Sequence, residues 1–229
     1  MKNRVTKVSK LIPIRKVLLS VSDKTGLEDF IINLVQVCPQ VQFYSTGGTF
    51  KSINNLVDQG KVPPLANAKR LVEVSEYTGQ PETQGGLVKT LDFKVHLGIL
   101  TEEFNPHHAK DLERTGAIQF DMVVVNLYPF VKTVTEPGSD LEDARGNIDI
   151  GGPTMLRASA KNFLRVASVC DPVDYPRIIQ ELKAQNGSLP LETRFGLAKK
   201  TFAHTSQYDT AIASYLQIQT ETALDIYKE

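Results

Sequence analysis

The sequence is poor in several features that would direct a chain to a particular class of protein. It has only two cysteines and no tryptophan, and its 26 basic residues are balanced by 26 acidic ones, so the net charge is zero. A neutral chain has no global field that would attract nucleic acid or an anionic membrane. It also lacks a membrane-spanning apolar run and a signal-peptide pattern. With 41% hydrophobic and 23% charged residues over 229 positions, we expect a soluble protein with one sizeable domain.

Several common chemistries lack their sequence motifs here. Cys38 and Cys170 are far apart in apolar surroundings, which is typical of reduced core thiols in a cytosolic protein. No cysteine or acidic residue completes metal-ligand spacing around the histidines at positions 96, 107, 108 and 204, so we predict no metal site. There is no Gly-x-Gly-x-x-Gly or Walker loop, no Gly-x-Ser-x-Gly elbow, and no basic patch interleaved with aromatic residues.

The order of the predicted elements indicates an α/β fold. Residues 16–21 form an apolar run that predicts a strand, and after a polar turn, apolar residues continue at helical spacing over residues 27–34. Residues 41–57 repeat this order, which implies parallel strands joined by right-handed crossovers. Polar turns after such strands gather at the carboxyl edge of the sheet, where ligands bind. We predict further strands at residues 71–74, 121–126 and 165–170, and helices at 141–144, 154–162, 175–184 and 191–216.

The ends of the chain and its long loops complete the predicted organisation. Residues 1–15 carry five basic residues and no acidic one, and we interpret them as a flexible arm; a targeting segment is the alternative, which scarce serine disfavours. The domain would span residues 16–217, with a tail at 218–229. Residues 75–90 and 185–190 are predicted loops. Apolar stripes on the last long helix predict packing on the sheet or on a partner chain, so a homodimer is a further expectation.

The Thr-Gly-Gly-Thr turn at residues 46–49 is the strongest candidate for a binding site. It joins a predicted strand to a predicted helix. Glycines let the backbone approach a ligand and adopt positive φ, and the free amides of a helix start suit an anion, most simply a phosphate. A plain turn whose glycines are only steric is the alternative. Polar residues of the preceding βα turn would lie beside it at the sheet edge, namely Ser20, Ser22 and Lys24.

Other residues near the same edge have weaker support from pattern alone. The Gly-Gly-Pro segment at 151–153, with the proline taken as the first helical residue, predicts a second helix start with exposed amides. Asp149 precedes it and is either functional or a turn-former. Tyr128 follows a strand and is otherwise a rim aromatic, and Lys89 lies on a loop, where lysines are usually solvated. Lys161 is about 12 Å along the helix from residue 153, so spacing does not bring it to Asp149.

These segments closely resemble the inosine monophosphate (IMP) cyclohydrolase domain of the bifunctional purine biosynthesis protein. The resemblance runs in order from about residue 17 to residue 215. The matching segments, in one-letter code, are SVSDKTGL (20–27), TGGT (46–49), VKTL (88–91), VH (95–96), GIL (98–100), NLYPF (126–130), IDIGG (148–152), AKN (160–162), FAHT (202–205), QYD (207–209) and AI (211–212). The resemblance implies a methylglyoxal-synthase-like fold, which is a Rossmann-like three-layer α/β sandwich with a mostly parallel sheet and C-terminal helices packed on it.

The resemblance also implies a reaction and a set of residues for it. In the family, the carboxamide nitrogen of formamidoimidazole carboxamide ribotide attacks the neighbouring formyl carbon, and loss of water gives IMP. Neither a metal nor a cofactor is implied. The implied catalytic residues are Lys89, Tyr128, Asp149 and Lys161. The implied substrate-binding residues are Ser20, Ser22, Lys24, Thr46, Gly47, Gly48, Thr49, Thr90, Asn126, Gly151 and Gly152.

The chain departs from the family pattern at a few positions. Leu87 stands where the family has an arginine that helps to hold the nucleotide, and Asp92-Phe93 replaces a His-Pro pair. Phe163 follows Asn162 where a histidine is usual. Losing a charged phosphate contact typically costs about 1.5 to 3 kcal/mol, and Asp92 beside a phosphate would add to this cost unless it faces away. These departures predict a weakened or altered enzyme in which every implied catalytic residue is retained.

The expected partners and the rival functions follow from the same observations. The chain ends about where the family's transformylase domain would begin, so we expect a separate transformylase to supply the formylated purine nucleotide. We expect no nucleic acid or membrane partner and a cytoplasmic location. One rival is a purine-nucleotide sensor on the same fold, favoured by Leu87 and Asp92. Another is a methylglyoxal-synthase-type lyase acting on a triose phosphate, which the loop at 75–90 and the segment at 149–161 disfavour.

Overall fold

Five parallel strands form the central sheet of the protein. The structure, a computed structural model, describes residues 4–80 and 88–227. The strand order across the sheet is β4-β3-β2-β5-β6, and every neighbouring pair is parallel. The strands are β2 (Lys16–Val21), β3 (Gln42–Ser45), β4 (Leu71–Glu73), β5 (Met122–Asn126) and β6 (Ala167–Val169). Because β2, the first strand of this sheet, lies at its centre, the turns after β2, β3 and β5 are close neighbours.

Helices cover both faces of this sheet. They are α1 (Leu27–Val37), α2 (Gly47–Asp58), α3 (Val74–Thr78), α4 (Phe93–Leu100), α5 (Pro106–Thr115), α6 (Phe130–Thr135), α7 (Leu141–Gly146), α8 (Gly151–Lys161), α9 (Tyr175–Ala184) and α10 (Leu191–Gln217). Val17 and Leu19 of β2 enter a core with α1, α2 and α9, whereas Leu18 enters a second core with α4 and α8. The long α10 packs against α8 and β6. The predicted three-layer α/β sandwich with C-terminal helices packed on it is therefore confirmed.

The strand register gathers the polar turns at one edge. Leu19 of β2 pairs with Ser45 of β3, and Val21 pairs with Asn126 of β5. The three strands thus end at nearly the same level, as parallel strands with short βα turns do. This edge carries the side chains described in the next subsection.

The predicted flexible arm at residues 1–15 is wrong in its second half. Residues Leu11–Pro13 form β1, which pairs antiparallel with β7 (Ser188–Pro190), a segment that we predicted as a loop. Ile12 and Leu189 are buried at this pair. Arg194 of α10, itself fully buried, donates to the backbone carbonyls of Ser9 and Lys10. Short strands of three residues carry too little alternation to be recognised in a sequence.

Two further boundaries differ from the prediction. Helix α3 occupies the start of the predicted loop at residues 75–90, and residues 81–87, including Leu87, lie outside the described part of the chain. Helix α8 begins at Gly151, so Pro153 is its third residue and not its first. At the other end of the domain, a short 3-10 helix spans Glu221–Ile226. No described helix is both long and apolar enough to cross a membrane.

Candidate functional site

A cavity of about 470 Å³ opens at the carboxyl edge of the sheet, where the sequence places the site. Its wall contains every predicted site residue except Lys161. These are Ser20, Ser22, Lys24, Thr46, Gly47, Gly48, Thr49, Lys89, Thr90, Asn126, Tyr128, Asp149, Gly151 and Gly152. The wall also contains residues that we did not predict: Val21, Leu91, Gly146, Ile148, Ile150 and Met155. Segments that are far apart in the sequence therefore converge on one concave surface.

One end of the cavity combines two ammonium groups with a helix start. Gly47 has a φ of 43° and is the first residue of α2, so the turn needs glycine at this position. A β-carbon on Gly47 would lie 3.5 Å from Lys89 Nζ, and one on Gly48 would lie 3.8 Å from Lys24 Nζ. Both ammonium groups thus lie beside the first two residues of a twelve-residue helix. Positive charge combined with free amides suits an anion such as a phosphate.

Hydrogen bonds hold the two turns of this end together. The Thr49 hydroxyl accepts from Val21 N and donates to Val21 O, each at 3.0 Å. Asn126 Oδ1 accepts from the backbone amides of Ser22 (2.5 Å) and Asp23 (2.8 Å), and its Nδ2 donates to Asp23 O (2.7 Å). The polar groups of Thr49 and Asn126 therefore bind the backbone at the end of β2 and in the turn that follows it. Both residues line the cavity, and these hydrogen bonds fix the shape of its wall.

The other end of the cavity holds a partly buried carboxylate. Burial raises the pKa of Asp149, and hydrogen bonds from the backbone amides of Gly152 and Tyr128 oppose this shift. The Gly152 amide donates to Asp149 Oδ1 at 2.8 Å. A β-carbon on Gly152 would collide with the same carboxylate and would lie 2.7 Å from Leu127 Cδ2. Glycine is needed here for close approach, and the pair forms a compact helix start.

Two tyrosines lie beside this carboxylate, one in the cavity wall and one behind it. Tyr128 is 52% exposed, and its side chain forms part of the cavity rim. Tyr208 of α10 lies behind the wall, and its hydroxyl accepts a hydrogen bond from Asp149 N at 2.8 Å. We did not predict a role for Tyr208. The only signal in the sequence was its place in the QYD segment at 207–209.

Lys161 is the one predicted catalytic residue that the chain does not bring to the cavity. It is exposed, and it is the last residue of α8, whereas Gly151 is the first. A rise of 1.5 Å per residue places the two ends of this helix about 15 Å apart. Among the described residues, therefore, Asp149 and Lys161 lie at opposite ends of one helix.

The structure shows the contacts of the residues at and beside the departures from the family pattern, within the part of the chain that it describes. Asp92 is buried and is the N-cap of α4, where its carboxylate accepts from Lys94 N at 2.7 Å. Its side chain is not in the cavity wall. Phe163 packs against Phe195 of α10, with ring centroids 5.0 Å apart. Asn162 donates to the carbonyls of the α4 C-terminus and has a structural role.

A larger groove of about 800 Å³ lies between α1 and α9, and its charge differs from that of the cavity. Its lining includes three aspartates, Asp23, Asp29 and Asp171, and one lysine, Lys183. Three carboxylates at one rim would repel a phosphate. The smaller cavity, with its two lysines and helix start, is the one that fits an anionic ligand.

Comparison with known proteins identifies the family. Residues 159–228 match the model of the AICARFT/IMPCHase bienzyme, and residues 64–154 match the model of the MGS-like domain. The bifunctional purine biosynthesis protein PurH of Neisseria meningitidis serogroup A is 48% identical over 203 residues, which is 89% of this chain. That of Ruminiclostridium cellulolyticum is 43% identical over 204 residues. The chain belongs to the AICARFT/IMPCHase family.

A solved structure has the same fold. The crystal structure of ForH superposes with a TM-score of 0.72 at 30% identity, covering 87% of this chain and 95% of that one. This chain spans 36% and 37% of the length of the two bifunctional purine biosynthesis proteins named above. The MGS-like match ends within α8, so it includes the Asp149 to Gly152 part of the cavity.

Proposed function

We propose that this chain is an IMP cyclohydrolase that closes the purine ring of formamidoimidazole carboxamide ribotide. The observation that carries the proposal is one cavity whose wall has Lys24 and Lys89 beside the glycine turn of α2 and Asp149 beside the start of α8. A nucleotide has a matching division, since its phosphate is anionic and its base is not. The bifunctional purine biosynthesis proteins among the relatives support this choice of substrate class.

The phosphate would bind at the end that carries the lysines. Free amides at the start of α2 and the ammonium groups of Lys24 and Lys89 would contact its oxygens, with the hydroxyls of Ser20, Ser22 and Thr46 as further donors. Thr49 and Asn126 would hold these groups in place through the bonds described above. Thr90 and the amides of Gly151 and Gly152 would lie beside the base.

Ring closure needs a base, an oxyanion site and an acid. In the proposed reaction the carboxamide nitrogen attacks the formyl carbon, and a C–N bond forms. The departing water takes the formyl oxygen, one proton from the carboxamide and one from the formamide nitrogen. Asp149 would accept the carboxamide proton, because burial makes its carboxylate more basic than an exposed aspartate. Tyr128 would stabilise the formyl oxygen and, with the protonated Asp149, protonate it as it leaves, whereas Lys89, which the resemblance implies as catalytic, has its ammonium group beside Gly47 at the phosphate end.

Lys161 enters this proposal only through a second copy of the chain. Within one chain, α8 holds it about 15 Å from the Asp149 end of the cavity. A homodimer that brought the Lys161 of one copy to the cavity of the other would give it the role that the family resemblance implies. We therefore propose a homodimer, and sedimentation of the Lys161→Ala variant beside the parent chain would separate assembly from catalysis.

The setting that we propose is the cytoplasm. Cys38 and Cys170 are both buried free thiols, which suits a reducing compartment. The family description names a transformylase as well as a cyclohydrolase, and a transformylase is the activity that would supply a formylated ribotide. Leu87 and Asp92 were the two residues that favoured a purine-nucleotide sensor over an enzyme. The Asp92 carboxylate is buried and caps α4, so it gives that alternative less support.

The test is an assay of ring closure by the purified chain and by its Asp149→Asn variant, with the formylated ribotide at saturation. An asparagine keeps an oxygen for the Gly152 amide but cannot act as a base. We expect turnover by the parent chain and a fall in kcat of about 10²- to 10⁴-fold in the variant. Ring closure by the parent chain at the uncatalysed rate would contradict the proposed function. Equal kcat values for the two proteins would contradict only the role of Asp149.

A further inference from the structure

A tyrosine outside the cavity holds the main chain of the carboxylate from behind. Tyr208 lies on α10, 59 residues after Asp149 in the sequence, and its hydroxyl accepts from Asp149 N at 2.8 Å. The same hydroxyl donates to Asn147 O at 3.3 Å. One side chain thus uses both its proton and a lone pair on the short segment between α7 and α8.

The other main-chain hydrogen bonds of this segment join it to the helices on either side. Asn147 N and Ile148 N bond back to the end of α7, and Ile150 O accepts from Thr154 N in α8. The main-chain N–H of Asp149 has its partner on a different element, namely α10. The position of the Asp149 Cα therefore depends on where α10 lies, and the carboxylate is turned toward Gly152 by a separate bond.

The ring of Tyr208 also contacts the second loop of the same cavity end. It meets the ring of Phe130 edge to face, with centroids 6.3 Å apart. Phe130 is buried, and its amide donates to Tyr128 O at 2.8 Å. Tyr208 consequently joins the loop that carries Asp149 to the loop that carries Tyr128.

We infer that Tyr208 is a positioning residue that sets the place of Asp149 in the cavity. The inference rests on the proposed function for its effect on turnover, but the contact itself can be tested without turnover. Burial raises the pKa of Tyr208, so its hydroxyl stays protonated and keeps both bonds near neutral pH. The other ionisable groups of the Asp149 surroundings are Lys24, Lys89 and Tyr128 in the cavity wall, and Asp209, whose charge acts on Tyr208.

The chain offers a matched pair of variants for the test. Tyr208→Phe keeps the ring and its contact with Phe130 but removes the hydroxyl. Tyr215→Phe is the control, because Tyr215 lies on the same helix, packs on the same Phe130 ring at 5.8 Å, and has its hydroxyl on the exposed Asp140 O at 3.4 Å. Neither Tyr215 nor Asp140 is in the cavity wall.

We expect Tyr208→Phe to lower kcat about 3- to 10-fold, since the hydrogen bonds of its hydroxyl to Asp149 N and Asn147 O are both lost. KM should change less than kcat, because the phosphate end is bound elsewhere. A looser segment admits water to Asp149, so the acid limb of kcat should move to lower pH as the burial of the carboxylate decreases. Tyr215→Phe should match the parent chain in all three measurements.

Two readouts decide the inference even if the chain turns over no ribotide. The Asp149 amide should exchange slowly in the parent chain and faster in Tyr208→Phe, and the Asp149 carboxyl should titrate at lower pH in that variant by NMR. Rapid exchange of this amide in the parent chain would overturn the inference without any variant. An unchanged Asp149 titration in Tyr208→Phe, or equal effects of the two substitutions, would also overturn it.

Discussion

The two ends of the cavity are built by different means. At the lysine end, the turns after β2 and β3 are next to each other because their strands are hydrogen-bonded neighbours. Thr49 of α2 binds the backbone at the end of β2, and Asn126 of β5 binds the backbone of the turn after β2. At the carboxylate end, Asp149 lies between two helices and takes its main-chain support from Tyr208. The first end follows from sheet topology, whereas the second depends on the docking of a distant helix.

The two ends also differ in electrostatics. Two lysines and a helix start attract an anion through charge, which is weakened by salt when the groups are solvated. Asp149 works through the opposite property, because its usefulness as a base comes from partial removal from water. Substitutions at the lysine end should thus weaken binding, and substitutions at the carboxylate end should slow turnover. The following predictions test this division.

After Asp149→Asn, the largest effect is expected from Gly152→Ala. The new methyl group would collide with the Asp149 carboxylate and approach Leu127, so the carboxylate must shift. A misplacement of about 1 Å can cost about 10²-fold in rate, and we expect a loss of this size in kcat with a small change in KM. Gly196→Ala on α10 is the control, since no atom lies within 4 Å of a β-carbon there. Steady-state kinetics of both variants would check this, and an unchanged kcat for Gly152→Ala would contradict it.

Lys24→Gln should weaken binding and spare the chemical step. Loss of one charged contact costs about 1.5 to 3 kcal/mol, or roughly 10- to 100-fold in the Kd for IMP. The measurement is calorimetry with IMP at two salt concentrations, and the salt dependence should be smaller in the variant than in the parent chain.

Lys51→Gln provides the matched control for that experiment. Lys51 lies on the same helix as Gly48, is exposed, and is outside the cavity wall. Equal losses of affinity in the two variants would show that general charge, and not the position of Lys24, attracts the nucleotide.

The pH dependence of kcat should report on Asp149. Because burial raises its pKa above the ordinary value of 3.8, turnover should fall about tenfold per pH unit as the pH drops below that raised value. The raised pKa also affects the free energy of unfolding, with the opposite dependence on pH. The stabilisation that Asp149 contributes is fully present below the pKa of this group in the unfolded chain, and it is lost as the pH rises through the pKa in the folded chain. Measuring kcat at saturation excludes ionisation of the free substrate phosphate. An acid limb at or below the ordinary value would be evidence against Asp149 as the base.

The smallest effect is expected from Asp92→Ala, which lies outside both ends. Loss of the α4 N-cap should lower the free energy of unfolding by about 1 kcal/mol. The Kd for IMP should stay within error, because the Asp92 carboxylate is bonded to Lys94 N and does not face the cavity. Denaturant melts and calorimetry check the two parts. A tighter Kd in the variant would mean that Asp92 does oppose the phosphate.

The same contrast explains how much could be predicted from the sequence. Local signals predicted Ser20, Ser22, Lys24 and the turn at residues 46–49 at the lysine end, since parallel topology gathers strand ends and helix starts at one edge. Lys89 and Asn126 were implied there only by the family resemblance. Tyr208 was missed because no local pattern reports a bond across 59 residues. The approach of Lys161 to Asp149 rested on the family resemblance alone, and helix α8 keeps the two apart within one chain. Strands β1 and β7 were missed because each has three residues and takes its partner from the other end of the chain.

Arg194 binds the residues just before β1, and this contact has a consequence for folding during synthesis of the chain. The residues around Lys10 leave the ribosome early, yet the guanidinium that binds their carbonyls lies 184 residues further along the chain. The first strand must therefore wait, unpaired, until almost the whole domain has been made. Contacts of such long sequence separation slow folding, and we expect the joining of β1 to β7 to be among the last steps of maturation.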